Sequence, residues 1–93
     1  MKSLKDAIIE AINEYNEYRS PEANAKLIKM GKKEFILEFV GPFCESCGVY
    51  DYFEDFIYEL KKLINIDIEI ANFKEYDTGT FRVKYVIKNV MHE

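Results

Sequence analysis

The most constraining feature of this sequence is a repeated change in the spacing of its apolar residues. Two segments carry apolar residues three and four positions apart, which is the period of an amphipathic helix. Each is followed by two segments in which apolar and polar residues alternate, which is the period of a half-buried strand. The pattern therefore predicts the element order α-β-β-α-β-β.

The two predicted helices have recognisable ends. The first runs from about Lys2 or Leu4 to Tyr18, with Ser3 as its amino-terminal cap, and Pro21 ends it. The second covers residues 51–64, where leading acids and closing lysines match the helix dipole. Their apolar stripes are Leu4, Ile8, Ala11, Ile12, Tyr15 and Tyr18 in the first helix, and Tyr50, Phe53, Ile57, Leu60 and Ile64 in the second. Both stripes are expected to face a core.

The strands are predicted to form two β-hairpins. The first covers residues 24–40 with its turn at Gly31-Lys32, and the second turns near residues 77–80. The alternating positions that should face the core are Phe35, Leu37 and Phe39 in the first hairpin, and Ile66, Ile68, Ile70, Phe81, Val83, Tyr85 and Ile87 in the second. The polar faces of the second hairpin carry opposite charges, so cross-strand ion pairs are expected on its solvent side.

The simplest fold for this order is an α+β two-layer sandwich, with both helices on one face of a four-stranded antiparallel sheet. Ninety-three residues predict a single domain, 1–93. On the sheet face away from the helices we expect an apolar patch of Ile36, Val40, Phe73 and Val86. Such a patch predicts a protein partner or a homodimer.

The charge balance argues against nucleic acid as a partner. The chain has 13 basic and 17 acidic residues, a net charge of −4, and its only arginines are Arg19 and Arg82. It has no apolar run of the ~18 residues that a membrane helix needs, and no signal-peptide core. We therefore expect no membrane association and a cytoplasmic location.

The only two cysteines, Cys44 and Cys47, lie in the segment GPFCESCG between a predicted strand and a predicted helix. This context resembles the active-site segment of the thioredoxin family over about residues 35–64. The resemblance implies that Cys44 is the attacking thiolate and Cys47 the resolving thiol. A cysteine at a helix amino terminus also has its pKa lowered by unpaired amides and the helix dipole. The first functional prediction is reversible dithiol–disulfide exchange without a cofactor.

The same pair of cysteines supports two other interpretations. Cys-x-x-Cys followed by Gly48 resembles the knuckle that supplies half of many zinc sites. Because structural zinc takes four ligands, Cys44, Cys47 and His92 would need a carboxylate or a second subunit to complete the site. In the third interpretation the cysteines are passive apolar residues of a protein-interaction module. No recognised enzyme motif is present, so the sequence leaves open whether the protein is an enzyme.

Overall fold

The computed structural model describes residues 3–19, 23–41, 49–77 and 79–90. They form α1 (Leu4–Arg19), β1 (Asn24–Met30), β2 (Glu34–Val40), α2 (Val49–Lys61), β3 (Ile66–Asp77) and β4 (Thr80–Val90). The predicted α+β class and the order α-β-β-α-β-β are confirmed. Neither helix of the described part is long and apolar enough to cross a bilayer.

The four strands form one antiparallel sheet in the order β1-β2-β4-β3. The two hairpins therefore meet through β2 and β4, which are central, while β1 and β3 are the edges. The β2–β4 register places Phe35 opposite Tyr85 and Leu37 opposite Val83. Because opposite residues of an antiparallel pair point to the same face, the apolar positions of both hairpins join in one layer.

The core beneath the helices is rich in aromatic side chains. Phe35, Leu37 and Phe39 of β2 are fully buried, as their alternation predicted. Tyr15 of α1 meets Phe39 edge-on, with ring centroids 5.5 Å apart, and Phe35 stacks on Tyr85 at 5.0 Å. Burial of each such side chain contributes about 1.5–3 kcal/mol, so a few large rings supply much of the stability of a small domain.

At the helix ends, one prediction from the sequence is confirmed and two are wrong. The backbone amide of Asp6 donates to Ser3 Oγ at 3.1 Å, which confirms the predicted cap. Tyr18 and Tyr50 were expected in the core, but their side chains are 71% and 43% exposed. Each lies in the terminal turn of its helix, where fewer elements surround a side chain than at the centre.

Phe73 of β3 lies on the opposite face of the sheet from the one expected. Its ring centroid is 5.1 Å from that of Phe53 on α2, so it faces the helices. The β3–β4 register shifts between Ile70 and Asn72, which makes Ala71 an extra residue in β3. One extra residue moves the next side chains to the other face, so the helix-facing positions pass from even, as at Ile70, to odd, as at Phe73.

Ion pairs cross the sheet face that points away from the helices. Lys84 Nζ lies 2.8 Å from Glu34 Oε2, and Arg82 Nε lies 3.1 Å from Glu38 Oε2. A third pair, between Lys88 of β4 and Glu69 of β3 at 3.0 Å, confirms the predicted charge pairing of the second hairpin. With Phe73 on the other face, the expected apolar patch is reduced to Ile36, Val40 and Val86 among these charges.

Candidate functional site between α2 and the edge strand β3

The residues that the sequence predicted to carry the chemistry lie outside the part of the chain that the structure describes. Cys44, Cys47 and His92 all lie outside the described residues. Among residues 3–19, 23–41, 49–77 and 79–90, no group of three or more His, Cys, Asp or Glu side chains is placed to hold a metal ion. The described site must therefore be built from other side chains.

A groove of about 210 Å³ lies between α2 and β3. It forms because α2 packs over the edge of the sheet, where β3 is the last strand of the described part of the chain. Its walls are Tyr50, Glu54, Ile57, Tyr58 and Lys61 of α2, and Ile68, Glu69 and Ile70 of β3. We call this the α2–β3 groove.

An aromatic path runs from the core to the mouth of the α2–β3 groove. The Phe73 ring lies between the buried Phe53, at 5.1 Å, and the partly exposed Tyr50, at 6.0 Å between ring centroids. Phe73 is 40% exposed, and Tyr58, on the same helix as Tyr50, is 67% exposed. Several large apolar side chains thus reach solvent at one place, which is typical of a binding surface.

The rim of the groove carries charges of both signs. Glu54 and Lys61 are exposed on α2, and Glu69 on β3 forms the ion pair with Lys88. A ligand with an apolar body and polar substituents would find an apolar floor with charged partners at its edge. This combination is common in small-molecule sites.

Two buried tyrosines hold α2 from below. Tyr85 of β4 donates its hydroxyl to the backbone carbonyl of Phe53 at 2.8 Å, and Tyr15 of α1 donates to that of Tyr52 at 2.9 Å. Burial raises the pKa of both phenols well above the ordinary value, because the phenolate would lose its hydration. Both therefore stay protonated donors at neutral pH.

The outer side of α2 is tied to α1 as well. Arg19, the last residue of α1, pairs with Asp55, and its guanidinium lies 5.9 Å from the centre of the Tyr52 ring. The wall of the groove that α2 supplies is thus held by α1 on one side and by β4 beneath.

The α2–β3 groove was not predicted from the sequence. Two weak signals pointed to it. Tyr58 falls off the apolar stripe of its helix, and the alternation of β3 breaks at Ala71 before Phe73. Neither signal alone tells which helix packs over which strand.

Comparison with known proteins gives a likeness of fold only. No protein-family model matches the chain, and no curated protein matches it. A solved structure titled for the function of heme distortion in the H-NOX family matches 99% of this chain with a TM-score of 0.52 at 21% identity. A double variant of Tt H-NOX matches 100% with a TM-score of 0.52 at 20% identity. A third, titled for heme redox potential and porphyrin distortion, matches 99% with a TM-score of 0.51 at 21% identity.

The chain spans about half the length of these structures, 51% of the first and third and 52% of the second. This chain therefore has the fold of about half of such a structure, and the likeness extends over nearly all of this chain. Identity this low shows the fold alone.

These findings correct the functional predictions based on the cysteines. The prediction of a thiol-exchange protein is wrong, because the structures that share this fold are titled as heme and H-NOX proteins and not as thiol oxidoreductases. The zinc alternative with Cys44, Cys47 and His92 is contradicted by the same likeness, and the described residues hold no metal-binding group. The expectation of no cofactor is contradicted too, since those neighbours are titled for heme. A local Cys-x-x-Cys pattern is shared by unrelated folds, which is why it misled.

The described residues offer few side chains that could coordinate heme iron. Protein ligands of heme iron are His, Cys, Met and Tyr. The described ranges contain no His or Cys, and Met30, their one methionine, packs against the core. Tyr15 and Tyr85 are protonated donors to backbone carbonyls. The α2–β3 groove offers apolar surface to a flat macrocycle, and among its lining residues only Tyr50 and Tyr58 are of a type that binds heme iron.

Proposed function

We propose that this chain is one half of a heme-binding sensor domain. In this proposal it contacts the bound group through the α2–β3 groove, and the iron ligand comes from a second half outside this chain. The observation that carries the proposal is the likeness of fold, which extends over 99% of this chain but only 51% of the structure it resembles. A cytoplasmic location, expected from the sequence, is part of the proposal.

The size of the α2–β3 groove supports a half-site. Pockets that enclose a small molecule usually have volumes of roughly 300–1,000 Å³. The groove has about 210 Å³, so one copy of this half does not enclose a macrocycle. A second layer of protein over the groove would complete the enclosure.

The side chains of the groove suit a flat apolar ring system. Tyr50 and Tyr58 present aromatic surface on α2, and Ile68 and Ile70 form an apolar floor on β3. Lys61 at the rim would pair with an acidic substituent of the ring. The ring would be held by stacking and apolar contact, which do not require a metal.

The contacts of α2 suggest how the fold would respond to a ligand bound in the α2–β3 groove. A ligand wedged between α2 and β3 changes the separation of these two elements. Because Tyr85 and Tyr15 bond α2 to β4 and α1, that displacement is passed to the rest of the fold. A ligand shifts such an equilibrium only by its difference in affinity for the two arrangements.

The test is to titrate the full chain with hemin and, separately, with metal-free protoporphyrin IX. Binding is followed by quenching of tyrosine fluorescence and by visible absorbance. If the chain supplies apolar contact without an iron ligand, the two affinities agree within about threefold, less than 1 kcal/mol. Tyr58→Ser weakens both by roughly tenfold, because an aromatic contact is lost. Tyr18→Ser is the matched control, since Tyr18 is equally exposed but lies on α1, outside the groove.

Three outcomes would contradict the proposal. Absence of binding of either compound removes the role of the groove. A much tighter binding of hemin with a sharp Soret band would place an iron ligand in this chain. An equal effect of Tyr18→Ser and Tyr58→Ser would show that binding is nonspecific.

A further inference from the structure

We infer that two copies of this chain pair through the outer edge of β3 and form a two-fold dimer, in which the two four-stranded sheets become one. The inference concerns the chain without ligand and does not rest on the proposed function. It is carried by the exposure of β3, by the position of its extra residue and by its charges.

Strand β3 is a long and exposed sheet edge. It has 12 residues, pairs only with β4 among the residues that the structure describes, and is exposed throughout residues 71–77. The outer backbone groups of an edge strand are a template for pairing with another strand. An edge of this length gives a second strand room to pair with it.

The extra residue Ala71 makes β3 complementary to itself. Ile70 and Phe73 share the helix side of the sheet although they are three positions apart, because the register shifts between them. Glu69 and Lys74 share the open side, where Glu69 pairs with Lys88 and Lys74 lies 5.5 Å from the Tyr76 ring. Arg82 lies over the same Tyr76 ring and binds Glu38 of the open face, which fixes this assignment.

An antiparallel pairing centred between residues 71 and 72 matches the central positions of both faces. It sets Ile70 opposite the second copy's Phe73 on the helix side, and Glu69 opposite its Lys74 on the open side. Two-fold symmetry repeats each contact, giving two apolar pairs and two pairs of opposite charge. Directly opposite pairs of these kinds stabilise antiparallel strands.

The side chains that flank β3 also favour a second copy of the chain as its partner. In this pairing the α2 helices of the two copies lie side by side above the joined strands. The exposed rings of Tyr50 and Tyr58 on α2 then face the other copy and leave solvent. Association would thus bury two exposed aromatic side chains of each copy beside the edge.

The other sheet edge lacks this complementarity. Strand β1 carries Lys26 and Lys29 and no acidic residue. Two copies of β1 would bring like charges together in any register. Strand β3 carries Lys74 beside four acidic residues, so a register that pairs opposite charges exists for β3, whereas none exists for β1.

The experiment measures the dimer dissociation constant of the full chain by sedimentation equilibrium, from low micromolar to near-millimolar concentration. Lys74→Glu places two acids opposite each other and should raise the dissociation constant roughly tenfold or more. Glu69→Lys alone should have a similar effect. The double variant Glu69→Lys/Lys74→Glu restores opposite charges and should return the constant to within about threefold of the original. Lys26→Glu on β1 is the control and should change nothing.

The outcomes separate the proposed interface from simpler effects. Recovery in the double variant cannot come from the Glu69–Lys88 ion pair, which the first substitution removes. Circular dichroism of each variant checks that the fold is retained. A chain that stays monomeric at all concentrations overturns the inference. So does a double variant that fails to recover, or a Lys26→Glu variant that dissociates as readily as Lys74→Glu.

Discussion

The Tyr85 hydroxyl on the central strand β4 donates to the backbone carbonyl of Phe53 on α2 across 2.8 Å of buried core. One residue earlier in α2, the carbonyl of Tyr52 receives the hydroxyl of Tyr15 from α1 at 2.9 Å. Two consecutive carbonyls of one helix are thus bonded to two different elements. These bonds set where α2 lies, and therefore the width of the α2–β3 groove.

Removal of either hydroxyl should destabilise the fold measurably. We expect Tyr85→Phe and Tyr15→Phe each to lower the free energy of unfolding by about 0.5–1.5 kcal/mol, the usual net value of one hydrogen bond. The comparison variant is Tyr18→Phe, whose side chain is 71% exposed and which should change stability by only a few tenths. Urea unfolding measures all three. Equal stability of Tyr85→Phe and Tyr18→Phe would show that the buried bond contributes nothing.

The two buried phenols should also make the protein sensitive to alkali. Burial raises the pKa of Tyr15 and Tyr85 in the folded state, so folding favours their protonated form. Their contribution is complete below the ordinary tyrosine pKa of about 10 and is lost as pH rises above it. Absorbance at the phenolate band should show that two of the seven tyrosines ionise only together with unfolding. Ionisation of all seven while the far-ultraviolet dichroism stays native would contradict this prediction.

Asn16 should be required for the junction of α1 and β1. Its side-chain amide donates to the carbonyl of Ala25 at 3.1 Å, and its Oδ1 accepts from the amide of Ala25 at 2.6 Å. Asn16→Asp keeps the acceptor but places a carboxylate oxygen against the carbonyl, so we expect a loss of about 1–3 kcal/mol in unfolding free energy. Asn13→Asp is a matched control on the exposed side of α1. Thermal unfolding of both variants at neutral pH gives the comparison, and equal melting temperatures would refute the role of Asn16.

The ion pair between Arg19 and Asp55 should contribute little on its own. Their side chains are 41% and 32% exposed, so water screens the attraction. A double-mutant cycle with alanine should give a coupling of about 0.2–1 kcal/mol that falls as salt is added. The same cycle on the more exposed pair Lys88 and Glu69 should give a smaller value. A coupling of several kcal/mol, or one that salt does not change, would mean that the pair is effectively buried.

The fold was largely predictable, and the site was not. The alternation of Phe35, Leu37 and Phe39 and the cap at Ser3 are local patterns, and the structure confirms them. The α2–β3 groove depends on α2 packing over β3, a contact between residues distant in sequence. The chemical prediction from Cys44 and Cys47 rested on one short motif, and such a motif is compatible with many folds.

The sequence by itself determined the elements, their order and the core faces of β2 and β4, because the period of buried side chains follows from the backbone geometry of a single helix or strand. Only the tertiary structure decided the strand order β1-β2-β4-β3, the placement of Phe73 beneath α2 and the exposure of β3 as an edge. These depend on which strand pairs with which and on where the pairing register shifts. A change of register by one residue moves a side chain from one face of the sheet to the other without any change in local sequence pattern.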